Sequence, residues 1–404
     1  MVRTRIGVDI GSTAVRVAEV AAGDIPVIVR AAQVPLRPGV VEAGEVRQPD
    51  AVAEALGELW SESRVKSKQV HLGVGNQCVV VRDVALPWLP EKELRDTLGF
   101  RAQEFIPMAS DEAVLDFDPL GEMDQGGRRM VRILLVAARK PMVNALVEAA
   151  LAAKLDPQGI DLTPFAVTRA VGTGDAGLDL DSSGDEAIVD IGAQVTSICV
   201  HDHGVIRFVR MLPSGGRDIT LALASRLGVD DEVAERLKRG ERRRGFADAA
   251  PAIESLADGA SAGRLPAPAD AIATGTLPSD TPPADTLSVQ APRGVAGVIS
   301  DPSRVRDLAL TRAGSFVDEV RASLEFYTAL MPNAQIGRVL VVGGGSRLDG
   351  LLELLQERLQ VPVDRGRLFE RATSEIELSA EASVEAEAVL SVAVGLAIPA
   401  RRAA

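Results

Sequence analysis

The chain has 404 residues, enough for two or more domains around a large core. It is 46% hydrophobic with only 3% aromatics, which implies a core of Ala, Val and Leu. Its net charge of −13 argues against an electrostatic footprint for nucleic acid or an anionic membrane surface. Two cysteines, Cys78 and Cys199, both in apolar surroundings, fit buried thiols in a reducing compartment. The start Met1-Val-Arg-Thr-Arg-Ile6 leads straight into a strand without a signal peptide. No apolar run approaches the roughly 18–20 residues that a membrane span needs. These features predict a cytoplasmic protein without direct membrane insertion.

Ile6-Gly-Val-Asp-Ile-Gly-Ser-Thr-Ala-Val-Arg-Val-Ala-Glu-Val20 alternates with period two on both sides of a Gly11-Ser12-Thr13 turn, as a β-hairpin does. Asp9 puts a carboxylate at the turn entrance, and Gly11 lets backbone approach a ligand. Ser12 and Thr13 add hydroxyl and N–H groups. Inward-pointing amides make an anion nest, and a carboxylate beside it can hold a cation that balances phosphate charge. A third strand is expected over 25–34, then an amphipathic helix over 50–60 with Asp50 as its N-cap. Val70–Gly75 returns to a strand on which His71 reads as structural.

Residues 78–86 are apolar and β-branched, and Glu91 opens a helix to Phe105. Val114–Asp118 and Met130–Ala138 read as strands joined by a polar loop over 121–129. An Ala-rich helix from Lys140 and a strand over Gly159–Leu162 complete a helix–strand–strand–helix–strand block. An acidic, Gly-rich stretch over 172–185 reads as a solvated loop, because it lacks the twelfth-position Glu of an EF-hand.

The hairpin plan then recurs in Ala187-Ile-Val-Asp-Ile-Gly-Ala-Gln-Val-Thr-Ser-Ile-Cys-Val200, with Asp190, Gly192, Gln194 and Thr196 around its turn. Two copies separated by most of a domain suggest two similar lobes facing each other. His201 and His203 follow and lack a third partner for a metal. Gly215 and Gly216 precede a helix to about Leu227, an arrangement suited to an anion. The helix expected over 230–243 carries Glu235 and Lys238 at i,i+3, which by itself is an ordinary surface pair. Residues 246–303 shift to Ala, Pro, Asp, Gly, Ser and Thr without periodicity, the composition of a disordered insertion. A long packing helix runs from Val305 to Tyr327. Val339-Leu-Val-Val-Gly-Gly-Gly-Ser-Arg347 is a buried strand ending in Gly343, Gly344 and Gly345, where an adenine or ribose could lie on bare backbone. An Ala/Val-rich helix over 382–398 is the last element.

These three stretches, in this order, resemble the actin-like ATPase superfamily, and the resemblance covers all but roughly residues 244–301. It implies an α/β fold of two ribonuclease-H-like lobes around a nucleotide cleft. The block over 86–161, with Gln103-Glu-Phe-Ile-Pro107 and Leu115-Asp-Phe-Asp118, is similar to the inserted α+β subdomain of the FtsA/PilM branch, and most to the PilM family. On this reading 1–85 and 162–186 form the first lobe, with the helix of 382–404 returning to it. Residues 187–245 and 304–381 form the second.

What the resemblance implies is an ATP site. Asp9 and Asp190 would hold Mg²⁺ through its waters, since that ion keeps much of its hydration shell, with the backbone of Gly11–Thr13 and Gly192–Thr196 around the phosphates. Gly215 and Gly216 would meet the outer phosphates, Glu235 and Lys238 the ribose and adenine, and Gly343, Gly344, Gly345 and Arg347 the adenosine. No residue stands out to orient an attacking water near Thr163, so hydrolysis is expected to be slow at most, and the catalytic residue stays unknown. The implied role is a cytoplasmic scaffold of the type IV pilus inner-membrane complex. It would bind the N-terminal tail of a PilN-type membrane protein and communicate with the pilus motor ATPases, with self-association left open. An FtsA-like filament protein and a small-molecule kinase are the competing readings.

Overall fold

The computed structural model describes residues 3–173, 184–240, 301–331, 334–376 and 379–400. Residues 174–183 of the expected acidic loop (172–185) and 246–300 of the expected insertion (246–303) lie outside the described residues, while Asp185 already opens a strand and Pro302 a helix. The chain opens with strands β1 (Thr4–Ile10), β2 (Ala14–Ala21) and β3 (Val27–Pro35). A two-stranded ribbon β4 (Val41–Glu42) and β5 (Glu45–Val46) leads to helix α1 (Pro49–Ser63). Asp50 lies inside the first turn of α1; Gln48 is the N-cap and its side chain makes no capping bond. Proline at the first helical position, which has no N–H to satisfy, takes over the role expected of a capping side chain.

Strand β6 (Gln69–Val74) is followed by β7 (Val80–Pro87), α2 (Glu91–Arg101), β8 (Ala113–Gln125) and β9 (Arg128–Arg139). The stretch expected as a polar loop over 121–129 is thus mostly strand, turned by Gly126 and Gly127, both with positive φ. Its polar ladder is sound physically: Arg129 pairs with Glu122 across the hairpin and lies over the Trp88 ring. Helix α3 (Lys140–Ala152), strand β10 (Asp156–Leu162) and helix α4 (Thr163–Val171) complete this half. The second half has β11 (Asp185–Ile191), β12 (Thr196–Asp202), β13 (Val205–Leu212), α5 (Gly216–Leu227) and α6 (Asp231–Lys238). It continues with α7 (Pro302–Leu330), β14 (Ile336–Val342), α8 (Leu351–Leu359) and β15 (Val363–Arg365). A short helix α9 (Leu368–Arg371), β16 (Thr373–Ser374) and α10 (Ala380–Ala397) end it.

The strands form two large sheets, ordered β10-β6-β1-β2-β3-β16 and β13-β12-β11-β14-β15. Each is built around one of the sequence hairpins: Asp9 lies opposite Arg16, and Asp190 opposite Ser197. A third sheet, β7-β9-β8, carries α2 and has its own core of Leu94, Leu98, Phe117, Ile133 and Leu135. This sheet and its helix span residues 80–139, beginning before the expected block of 86–161 and ending before it does. Helix α3 shares the first lobe's core through Met142, Val143, Leu146 and Ala149, and β10 is that lobe's edge strand.

Between the large sheets, α4 and α10 cross and share a core with Ala18, Ile28, Ile188 and Leu340 from both lobes. The crossing is close. A Cβ on Gly395 would fall 1.8 Å from the Ala166 carbonyl, and one on Gly7 would fall 2.0 Å from that of Ala393. Arg169 of α4 donates to the Gly395 carbonyl at 3.0 Å and also pairs with Asp161. A helical Gly-to-Ala change ordinarily gains about 1 kcal/mol in propensity. Here Gly395→Ala should instead lose roughly 3 kcal/mol through overpacking, read as a lower urea midpoint at unchanged m-value.

The second lobe is tied by a buried polar cluster at the start of β11. Glu186 accepts from His201 Nε2 at 3.0 Å, from Arg338 Nε at 2.6 Å and from the Thr173 N–H at 2.9 Å. Burial opposes ionisation of Glu186, but these donors outweigh it and hold the carboxyl down to about 2. A depressed carboxylate stabilises the fold above its unfolded value and loses that contribution as pH falls. Lowering the pH from 4.5 towards 2 should therefore erode about 3 kcal/mol of stability. Glu186→Gln should be less stable at neutral pH and show a flatter acid limb in a plot of urea midpoint against pH.

Candidate functional site

The turns of the two hairpins meet in a cleft bounded by Gly11, Ser12, Thr13, Gly192, Gly343 and Gly344, with Asp9 and Asp190 among its lining residues. Asp9 is only 13% exposed and accepts from Arg16 Nη1 at 3.1 Å. Burial raises the pKa of Asp9, with Arg16 pulling the other way. Asp190 is pushed up to about 7, first by burial and then by the nearby charge of Asp9. These two carboxylates and Arg16 are the titratable side chains lining the cleft among the described residues. Arg16 was missed by the sequence reading, although hairpin register counted back from the Gly11 turn places it directly across from Asp9.

The described residues contain no group of three or more His, Cys, Asp or Glu able to hold a metal. A cation at the Asp9–Asp190 pair would draw its remaining ligands from water and phosphate, as suits Mg²⁺. The donor set therefore fits that ion: two hard, buried carboxylates whose mutual repulsion a divalent charge would relieve.

The remaining predicted residues divide by what they already touch. The N–H groups of Gly11 and Gly192 close their own turns onto Ala14 and Val195. None of the turn hydrogen bonds in the described residues is donated by the amides of Ser12, Thr13, Ala193 or Gln194. Thr196 is fully buried, and its hydroxyl donates to the Ser214 carbonyl at 2.9 Å, fixing the loop before α5 instead of facing the cleft. Gln194 accepts from the Ala43 N–H at 2.8 Å, across to the first lobe.

The start of α5 does not offer amides to an anion. Gly215 N–H goes to Asp218, Gly216 N–H to the Gly192 carbonyl and Arg217 N–H to that of Ala193. Gly215 and Gly216 are themselves buried, and a Cβ on Gly215 would fall 2.5 Å from the Gly192 carbonyl, so their role is to let α5 pack on the second hairpin. Lys238 Nζ lies 2.9 Å from the Gly216 carbonyl, 2.8 Å from Thr220 and 2.6 Å from Glu235. The Glu235–Lys238 pair is thus anchored on α5, next to Gly216 and Gly345 and outside the lining of the carboxylate cleft. Burial lowers the pKa of Lys238 while Glu235 works against it. Arg347 turns away to pair with Glu385 of α10 at 3.6 Å.

The three glycines after β14 are not equivalent. Gly343 has a φ of 83°, and a Cβ there would strike Asp190 Oδ1 and the Ile191 carbonyl at 2.4 Å. A Cβ on Gly345 would strike Ile191 Cγ2, also at 2.4 Å. Gly344 has its nearest neighbour, Val389, at 3.9 Å and alone faces open space. Elsewhere, Cys199 is buried, its thiol pushed up to about 12 by burial, whereas Cys78 is only half-buried, contrary to expectation. His71 accepts from Arg5 at 2.9 Å, in keeping with a structural role.

The profile of the family described as type IV pilus assembly protein PilM matches residues 7–244, and the chain belongs to that family. It spans the first lobe, the inserted subdomain and the second hairpin. The profile of the cell division protein FtsA matches residues 187–386. Among solved structures, one titled as a PilM–PilN type IV pilus biogenesis complex is 26% identical, with a TM-score of 0.73 over 97% of each chain. The ethanolamine utilization protein EutJ from Carboxydothermus hydrogenoformans is 16% identical, with a TM-score of 0.51 over 98% of this chain and 89% of its own. The fold is therefore that of the actin-like ATPases. Among the described residues no helix is long and apolar enough to cross a membrane.

The steric asymmetry of the glycine turn is directly measurable. Gly344→Ala should leave the urea midpoint within experimental error of wild type. Gly343→Ala should lower stability by roughly 2 kcal/mol or more, because it combines overpacking with a left-handed backbone.

Proposed function

We propose that this chain is an ATP-binding, actin-like scaffold of the type IV pilus inner-membrane assembly complex, located at the cytoplasmic face of the membrane through its partners. It binds the N-terminal cytoplasmic tail of a PilN-type membrane protein, in a way linked to its nucleotide state. The observation that carries this reading is the likeness along 97% of both chains to a protein solved as a PilM–PilN complex, inserted subdomain included. The FtsA match begins at residue 187 and so leaves out the first hairpin and the inserted subdomain. The first lobe and the inserted subdomain, where a pilus protein and a division protein would differ, fall in the PilM match.

At the site, Asp9 and Asp190 hold Mg²⁺ through its waters, and the amides of Ser12, Thr13, Ala193 and Gln194 receive phosphate oxygens. Gly344 offers open backbone for the nucleoside, and Glu235 and Lys238 sit beside Gly216 and Gly345 on the adenosine side. The lobes can then change their angle about the α4–α10 crossing, a two-state element that a partner can read.

The test is binding of a fluorescently labelled N-terminal peptide of the PilN-type protein, with and without Mg-ATP. Wild type should bind it, with an affinity that changes at least threefold on adding Mg-ATP. Asp190→Ala should bind the peptide without that change. Absence of peptide binding in every nucleotide state would overturn the pilus assignment.

A further inference from the structure

Gln194 was expected at the phosphates through the backbone of its turn; its side chain reaches out of the hairpin and accepts from the Ala43 N–H at 2.8 Å. Ala43 belongs to the other lobe, in the turn between β4 and β5. That turn is held firmly. A Cβ on Gly44 would lie 2.3 Å from the Gly75 carbonyl, so the turn packs backbone to backbone on the loop after β6. Asn76 is fully buried; its Nδ2 donates to Glu45, and its Oδ1 accepts from the Cys78 N–H at 2.8 Å. Ala43 itself has a φ of 48°, a left-handed conformation that costs a non-glycine residue free energy. Val195, next to Gln194, packs into the first lobe's core together with Val46 of β5.

From this geometry we infer that Gln194 is a clasp between the lobes: its carboxamide, bonded to the Ala43 amide, pins the tip of the second phosphate hairpin to the first lobe and sets how readily the cleft opens. Gln194 is a positioning residue that acts through the turn it holds. The Ala43 turn is anchored within its own lobe, so any movement of the second hairpin away from the first must break this bond or carry β4 and β5 along. Those strands pack against α3 through Val46, Met142 and Leu146. Helix α3 continues directly from β9 of the inserted subdomain. The clasp therefore lies on a continuous packed route from the cleft to that subdomain.

The experiment compares full-length wild type, Gln194→Ala and Gln194→Glu by two readouts. The first is amide hydrogen exchange over residues 41–47 in the nucleotide-free protein. Gln194→Ala should accelerate it roughly 3- to 10-fold, the size that one hydrogen bond allows, while Gln194→Glu keeps an acceptor and retains protection. The second, which rests on the nucleotide reading above, is dissociation of a fluorescent ATP analogue; Gln194→Ala should release it roughly 3- to 10-fold faster. Exchange over 41–47 that is unchanged in Gln194→Ala would overturn the clasp. If wild type binds no ATP analogue, the nucleotide reading fails while the exchange readout still decides the clasp.

Discussion

The close crossing of α4 and α10 is the contact on which the remaining geometry depends. It brings helix backbone against helix backbone at Gly395 and Ala166, and helix against strand at Gly7 and Ala393, with no room for side chains between. The two large sheets flank this crossing and draw on a common core across it. Because each sheet carries one hairpin, fixing the crossing fixes where both turns end. They end at the same cleft, and this brings Asp9 and Asp190 within range of each other's charge. Widening the crossing by one methyl group would separate the turns along with the sheets.

Placing the two carboxylates together has an electrostatic cost that the chain only half relieves. Arg16 pairs with Asp9, whereas Asp190 is pushed up to about 7 by burial and by Asp9. A raised carboxylate favours the fold below its ordinary value near 3.8 and disfavours it as pH climbs through about 7. With Asp9 paired to Arg16, Asp190 carries the uncompensated part of this cost. A ligand bringing divalent charge to the pair would relieve it and stabilise the fold.

Much of this was legible in the sequence, for a physical reason. A hairpin places its own partner residues by register, so period-two alternation around Gly11 and Gly192 reveals both turns and both carboxylates. The same logic carried far enough yields Arg16. Long-range placement was harder to read. Nothing local distinguishes α3 and β10 as members of the first lobe, because that depends on which sheet and core receive them. The ladder of Glu122 and Arg129 was hidden because a hairpin wet on both faces has no apolar alternation to detect. Hydroxyls and glycines misled in a different way. The Thr196 hydroxyl and the Gly216 amide are groups that could serve a ligand, but the chain uses them for its own turns, and composition does not say which partner wins.

Once the occupied groups are set aside, the balance of forces at the cleft becomes clear. The crossing joins the lobes on one side, and the lobes touch again through Gln194 and Val195 on the other. Between these two points lie Asp9, paired with Arg16, and Asp190, whose carboxyl burial and the charge of Asp9 push up to about 7. The two points differ in kind. The first is backbone against backbone, with no room for an added methyl group. The second rests on one side-chain hydrogen bond, worth about 1 kcal/mol, and one apolar side chain, so it is the weaker of the two and the place where a change between the lobes costs least.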